Sequence, residues 1–127
     1  MTVSDPTIVD RIEGTFLGLA SGDALGAGYE FGEDIPDDMP VEMCGGGLFG
    51  WRPGEWTDDT AMAMSIAQAA VNHGGLTSEA ALDEVVQRWC QWAKGAKDVG
   101  VQTGMVLKDV AVEPTAARAR RCAHELH

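Results

Sequence analysis

The chain has 127 residues and a formal net charge of −11, from 9 Lys and Arg against 20 Asp and Glu. This charge repels a nucleic-acid backbone and an anionic membrane surface, so we expect neither as a partner. The cysteines are irregularly spaced and form no CxxC pair, and the first residues contain no basic segment followed by an apolar run. We therefore expect a cytoplasmic protein of one modest domain, without a disulfide framework, an export signal or a membrane span.

The first predicted element is a helix from about Ile8 to Leu25, because apolar residues recur there at helical spacing. Glycines recur every four residues on one face of this helix, at Gly14, Gly18, Gly22 and Gly26. Glycine lowers helix propensity but lets another backbone approach closely, so the stripe predicts tight packing of a second helix. An acidic loop follows, in which Pro36, Pro40 and Pro53 preclude long regular elements.

Two more helices are predicted in the middle of the chain. One runs from about Asp58 to His73 with Thr57 as its N-cap, and its apolar residues cover most of its circumference. Such a helix is typical of a protein interior. The next is amphipathic, and it begins after a cap at Thr77 or Ser78 and ends before Gly95.

The C-terminal part of the sequence is less regular. Met105 to Val112 is predicted to form a short helix before Pro114, and residues 111–127 differ in composition from those before them. We interpret the last residues, His124 to His127, as a frayed tail. Since no segment shows strand alternation of useful length, the sequence predicts an all-α fold.

The segment Thr57-Asp58-Asp59-Thr60 places oxygen-bearing side chains next to one another where a helix begins. Carboxylate and hydroxyl oxygens suit Mg²⁺, Mn²⁺ or Ca²⁺, and a helix N-terminus favours anions. The same residues also make sense without a metal, because Thr57 would cap the helix and the two acids would complement its dipole. Both interpretations stay open from this segment alone.

Three further acids are candidates for chemistry because they lie among glycines or in irregular segments. Asp23 stands among small residues, Glu30 follows the first helix, and Asp98 lies in a glycine-broken loop near Thr103. Each one alone is also explained as a capping or surface residue. Two such carboxylates together with a metal cluster would supply the acid–base and electrostatic groups for hydrolysing a glycosidic bond.

Three blocks of the sequence occur in a distinctive order, namely RIEGTFLGLASGDALGAGYEF, GEWTDDTAMAM and KDVGVQTG. Together they closely resemble the ADP-ribosylglycohydrolase family, of the dinitrogenase-reductase-activating glycohydrolase type, over about Arg11 to Leu107. The resemblance implies an all-α helical bundle with two Mg²⁺ or Mn²⁺ ions at the base of a cleft. It also implies a hydrolase that removes ADP-ribose from modified protein side chains or related ADP-ribosyl conjugates.

The resemblance implies roles for individual residues. The metal ligands are expected to be Thr57, Asp58 and Asp59. The catalytic residues are expected to be Glu30, beside the scissile bond, and Asp98, as a general base. Substrate binding is expected of Asp98, Gly100 and Thr103, which match the family's ribose-contacting element, while Asp23 and Gly26 match the first block in a supporting role.

The sequence departs from the family pattern after Leu107. Family members are longer and carry a second acidic block of the form Asp-x-Asp-Thr, which this sequence lacks. We therefore interpret residues 1–110 as the N-terminal part of an ADP-ribosylglycohydrolase-like domain, apparently truncated, and residues 111–127 as a divergent tail. The alternative function is a catalytically incomplete helical fragment or binding module that lacks the second acidic metal-binding block. With either function, we expect self-association through exposed apolar faces. A third hypothesis is a calcium-stabilised structural domain.

Overall fold

The computed structural model describes residues 5–126, which form five α-helices. The helices are α1 (Pro6–Gly26), α2 (Asp58–His73), α3 (Glu79–Ala93), α4 (Val101–Val110) and α5 (Ala116–Glu125). These residues form no strand, and their one β-type pairing is an isolated bridge between Gly46 and Trp51. The predicted all-α class is confirmed. None of the described helices is both long and apolar enough to cross a membrane.

Side-chain caps explain where several helices begin. Asp5 accepts a hydrogen bond from the N–H of Thr7 at 3.0 Å, and Pro6 occupies the first turn of α1, where its missing N–H does no harm. Ser78 accepts from the N–H of Ala81 and so is the cap of α3. The predicted bounds of α2 agree with the structure, because the acid pair and the Gly-Gly pair after it mark its two ends.

The described residues fall into two compact units, divided between Thr60 and Ala61 in the first turn of α2. In the first unit, the long loop after α1 is fastened by Tyr29, whose hydroxyl donates to the carbonyl of Glu42 at 2.8 Å and accepts from its N–H at 3.0 Å. A Cβ at Gly45 would stand 2.5 Å from the carbonyl oxygen of Trp51, and the φ of Gly45 is +65°. Only glycine fits there.

The second unit has its core between α3, α4 and α5, which pack on one another. The buried residues of this core are Val86, Leu107, Val110 and Ala116. The indole N–H of Trp89 donates to the carbonyl of Met62 at 3.1 Å and so ties α3 to α2. Glu84 ties them a second time, because it accepts a hydrogen bond from Asn72 at 2.7 Å.

The structure corrects two expectations about the C-terminal part. Helix α4 begins at Val101 and not at Met105, since Gly104 is accommodated within the helix and donates its N–H to the carbonyl of Gly100 at 2.8 Å. Helix α5 runs to Glu125, so His124 and Glu125 are helical and not part of a frayed tail as the sequence predicts. His127 lies outside the described residues. The division of the chain at residue 110 stays a prediction.

Two expectations about packing also differ from the structure. At the glycines of the stripe, the described part of the chain places no atom outside the helix's own backbone within 4 Å of an added Cβ, which holds for Gly14, Gly18, Gly22 and Gly26. Helix α2 is not buried on all sides, because Met64 is 51% and Val71 is 76% exposed. Periodicity identifies an apolar face but does not say which element of the chain covers it.

Candidate functional site

A single carboxylate, that of Asp23 in α1, accepts hydrogen bonds from four donor groups at the start of α2. The N–H of Thr57 lies 3.0 Å from each of its oxygens, and the Thr57 hydroxyl donates to Oδ1 at 2.6 Å. The N–H and the hydroxyl of Thr60 donate to Oδ2 at 3.0 Å and 2.5 Å. Thr57 and Thr60 are buried, with exposures of 5% and 2%. The contact belongs wholly to the first unit.

Asp23 takes the capping role that the sequence had suggested for Thr57. A helix leaves its first N–H groups without intrahelical acceptors, and a side chain just before the helix commonly accepts one of them. Here the N–H of Thr60, in the first turn of α2, donates to Asp23 instead. The carboxylate is thus a cap supplied by another helix, 37 residues away in sequence.

The environment of Asp23 favours its ionised form. Desolvation on burial works against the charge, but hydrogen bonds from the side chains and backbone of Thr57 and Thr60 outweigh it. The pKa of the Asp23 carboxyl is therefore lowered from its ordinary value. An ionised carboxylate only accepts hydrogen bonds, which suits a group surrounded by four donors.

The proposed metal ligands Thr57 and Asp58 are placed side by side. Thr57 Oγ1 and Asp58 Oδ1 lie 3.2 Å apart, and neighbouring oxygens around an octahedral Mg²⁺ with bonds of about 2.1 Å stand roughly 3 Å apart. Asp58 is half-buried and Asp59 is exposed, both in the first turn of α2. Hydroxyl and carboxylate oxygens are the donors that Mg²⁺ and Mn²⁺ prefer. The donor set fits one side of such a site.

This donor set is incomplete as a cage. Among residues 5–126, no group of three or more His, Cys, Asp or Glu side chains is arranged to hold a metal ion. Because Mg²⁺ takes six oxygens, water, substrate hydroxyls or further protein groups would have to complete the shell. The residues present therefore fit one side of a metal site.

Glu30, Asp98, Gly100 and Thr103 are the remaining residues expected at the site. Glu30 is exposed in the turn after α1, next to Phe31, which has the unusual φ of +60°. Asp98 is half-buried in the loop before α4, Gly100 is the residue that precedes α4, and Thr103 lies in the helix's first turn. Glu30 belongs to the first unit and the other three to the second. Their catalytic and substrate-binding roles stay predictions.

The feature that the sequence did not reveal is the bonding of Asp23 to both threonines. Asp23 was a candidate, but only as a supporting residue of unstated contacts. A signal was present, because two threonines three residues apart, Thr57 and Thr60, flank the acid pair. Hydroxyls at such a spacing face one side of a helix, where they can share one acceptor.

The sequence profile of the ADP-ribosylglycohydrolase family matches residues 4–124, nearly the whole chain. The chain belongs to the ADP-ribosylglycohydrolase family. The resemblance carried by the three sequence blocks is thereby confirmed, together with the hydrolase family that it implied.

Individual relatives support the same family. The chain is 42% identical over 107 residues to the ADP-ribosylarginine hydrolase Tri1 of Serratia proteamaculans (strain 568), covering 79% of this chain and 28% of the relative. It is 36% identical over 104 residues to the ADP-ribosyl-[dinitrogen reductase] glycohydrolase of Rhodospirillum rubrum, covering 77% of this chain and 34% of that protein.

A solved structure supports the fold. It is described as an ADP-ribosylglycohydrolase-related protein complex and superposes with a TM-score of 0.60 at 36% identity, covering 82% of this chain and 34% of the other. The helical fold of the family is therefore confirmed. The chain spans about a third of the length of these relatives, with shares of 28% and 34%.

Proposed function

We propose that this chain supplies one side of the metal site, and the residues around the scissile bond, of a hydrolase that removes ADP-ribose from modified protein side chains. Membership of the ADP-ribosylglycohydrolase family supports the reaction class. The names of the two relatives, one for ADP-ribosylarginine and one for an ADP-ribosylated reductase, support a protein-linked ADP-ribosyl substrate. The observation that carries the proposal is the juxtaposition of Thr57 Oγ1 and Asp58 Oδ1 beside a capped helix start.

Thr57, Asp58 and Asp59 would hold Mg²⁺ or Mn²⁺, in a dinuclear site according to the family resemblance. When bound, such cations would supply Lewis-acid chemistry that polarises ribose and water oxygens. The N-terminus of α2 adds its own positive potential near these carboxylates. That potential offsets part of the cost of placing two acids in the first turn of one helix.

Glu30 and Asp98 would serve the bond-breaking step. In the hydrolysis, the oxygen of water joins the anomeric carbon of ribose while the bond from that carbon to the protein side chain breaks. The side chain keeps the bonding electron pair and gains a proton. Glu30 would lie beside this bond, where its charge stabilises the positive charge that develops on the ribose. Asp98 would contact the ribose and accept the proton of the attacking water. Gly100 and Thr103 would position the same ribose.

The first test is calorimetric titration of the full 127-residue chain with ADP-ribose, with Mg²⁺ or Mn²⁺ and then with EDTA. We expect heat of binding only in the presence of the metal. Asp58→Asn should abolish it, whereas Asp37→Asn, the same change of charge in the exposed loop, should leave it unchanged. Equal binding in EDTA, or no binding at all with metal, contradicts the proposal.

The alternative is a binding module without catalysis. The lack of a second acidic block of the form Asp-x-Asp-Thr in this sequence favours it. This alternative predicts that an arginine-linked ADP-ribosyl peptide binds but is not cleaved. Measuring the release of free ADP-ribose by chromatography distinguishes the hydrolase from the binding module. Cleavage by this chain that disappears in Glu30→Gln supports the hydrolase.

Self-association through apolar surface is a further part of the proposal. Large apolar side chains are exposed in both units, including Leu17 at 68%, Val71 at 76% and Val112 at 84%. The net charge of −11 opposes contact between copies, and salt screens that repulsion. Sedimentation velocity at low and high salt tests this, because association should increase as the ionic strength rises.

A further inference from the structure

We propose that Asp23 is a positioning residue for the metal site, because its carboxylate takes the hydroxyl proton of Thr57 and leaves the lone pairs of that oxygen for the cation. This inference rests on the metal site proposed above. It concerns a residue that contacts neither substrate nor cation and that acts through Thr57. The family resemblance gave Asp23 no more than an unspecified supporting role.

The Thr57 hydroxyl can donate its single proton to only one of two nearby acceptors. A threonine hydroxyl has one proton and two lone pairs. Two carboxylate oxygens lie near Thr57 Oγ1, with Asp23 Oδ1 at 2.6 Å and Asp58 Oδ1 at 3.2 Å. The single proton goes to the closer acceptor, which is Asp23. Thr57 Oγ1 and Asp58 Oδ1 then face each other as two oxygens with lone pairs and no proton between them.

Without Asp23, the Thr57 hydroxyl would have a different acceptor. The Thr57 hydroxyl would turn its proton toward Asp58, since that is the remaining acceptor nearby. One lone pair of Asp58 would then be occupied by a hydrogen bond and would be less available to a cation. Asp23 therefore prevents a hydrogen bond that competes directly with metal binding.

Asp23 also holds the backbone on both sides of the acid pair. Asp23 bonds the N–H groups of Thr57 and Thr60, which bracket Asp58 and Asp59 in the sequence. The acid pair is thus fixed at both ends by one carboxylate. A ligand pair fixed before the cation arrives loses less conformational freedom on binding.

Thr60 provides a matched control, because its hydroxyl makes an equivalent bond to Asp23 at 2.5 Å but is no proposed ligand. If Asp23 matters only for folding, losing the hydroxyl of Thr60 and losing that of Thr57 should have similar effects. If Asp23 positions a ligand, only Thr57 should be coupled to it in metal binding. Valine replaces each threonine with almost the same shape.

The experiment measures Mn²⁺ affinity from the electron paramagnetic resonance signal of free Mn²⁺, for the full chain and four variants. The variants are Asp23→Asn, Thr57→Val, their double mutant and Thr60→Val. Substitution of a residue that orients a metal ligand commonly weakens metal affinity by about 10-fold to 100-fold. Asp23→Asn and Thr57→Val should therefore each weaken Mn²⁺ binding at least about tenfold. The double mutant should be no weaker than the worse single variant. Thr60→Val should stay within about twofold.

Each other outcome overturns the inference. An unchanged Mn²⁺ affinity in Asp23→Asn would mean that Asp23 does not position the metal site. The same would follow if the fold-losses of affinity in the two single variants multiplied in the double mutant. The metal proposal would stand in both cases. Equal losses in Thr60→Val and Asp23→Asn would mean a structural role alone. If the unmodified chain binds no Mn²⁺ at millimolar concentration, the proposed metal site fails, and the inference fails with it.

A second measurement needs no metal and no Asp23 variant. The Thr57 hydroxyl proton, held at an oxygen separation of 2.6 Å from Asp23, should exchange slowly with water. It should appear as a proton resonance in nuclear magnetic resonance spectra of the unmodified chain and disappear in Thr57→Val. A Thr57 hydroxyl that exchanges freely with solvent would overturn the inference even if Asp23→Asn fails to fold.

Discussion

The start of α2 in the first unit and the core of the second unit are held together in opposite ways. Around Asp23, four hydrogen-bond donors converge on one carboxylate and fix two buried threonines. In the second unit, α3, α4 and α5 bury aliphatic side chains against one another. Apolar packing tolerates small shifts, whereas hydrogen bonds to a single group demand defined directions. Directional bonding of this kind is compatible with the metal site proposed above.

The largest expected effect is in the apolar core. Leu107 is 5% exposed, and Leu107→Ala should lower the free energy of unfolding by about 3 kcal/mol, since it removes packed atoms and leaves a cavity. Urea denaturation followed by circular dichroism measures the change. The matched control is Val112→Ala at a side chain that is 84% exposed, which should change stability by less than about 0.5 kcal/mol. Similar losses in both variants would mean that this core is not the source of stability.

A smaller loss is expected when the polar centre is removed. Asp23→Ala leaves the N–H groups and hydroxyls of Thr57 and Thr60 without their acceptor. A buried donor left without an acceptor costs about 1–3 kcal/mol. Water that enters the space left by the side chain offsets part of this cost. We therefore expect the free energy of unfolding to fall by about 2 kcal/mol. The same denaturation experiment measures it. Asp37→Ala in the exposed loop is the control, and an equal loss there would contradict the prediction.

Metal addition should stabilise the chain by a still smaller amount. A ligand that binds only the folded state at ten times its dissociation constant contributes about 1.4 kcal/mol. The midpoint of thermal unfolding should therefore rise with Mn²⁺, fall back with EDTA and not respond in Asp58→Asn. A rise of the same size in Asp58→Asn would place the binding elsewhere.

The smallest effect concerns pH and the exposed cluster around Glu84. A hydrogen bond from Arg88, with further bonds from Asn72 and His73, lowers the pKa of the Glu84 carboxyl in spite of partial desolvation. Its contribution to stability is present above the unfolded pKa of about 4.3 and is lost as the pH falls through the lower folded pKa. Glu84→Gln should flatten the acid side of a stability–pH curve slightly. A curve of unchanged slope would show that Glu84 does not contribute.

The candidate site was predictable in part. The sequence blocks identified the family, and hard cations and glycosidic bonds require the oxygen donors and carboxylates that Thr57, Asp58 and Glu30 carry. The roles of these three residues stay predictions. The capping of α2 by Asp23 was not predictable, because Asp23 lies 34 and 37 residues from its partners Thr57 and Thr60 in the sequence. Neither side of such a contact carries a local pattern that names its partner.

The sequence by itself determined the helical class, the bounds of α2 and the family, and it narrowed the cap of α3 to Thr77 or Ser78, since periodicity, capping residues and motifs are properties of a few neighbouring residues. The tertiary structure decided which groups meet. It made residues 116–125 a helix, because Asp83 accepts the N–H of Ala116 at 2.7 Å and Ala116 joins the core. It also left the glycine stripe of α1 without a close neighbour among the described residues. Local chemistry restricts what each segment can be, and contacts between distant residues select among the remaining arrangements.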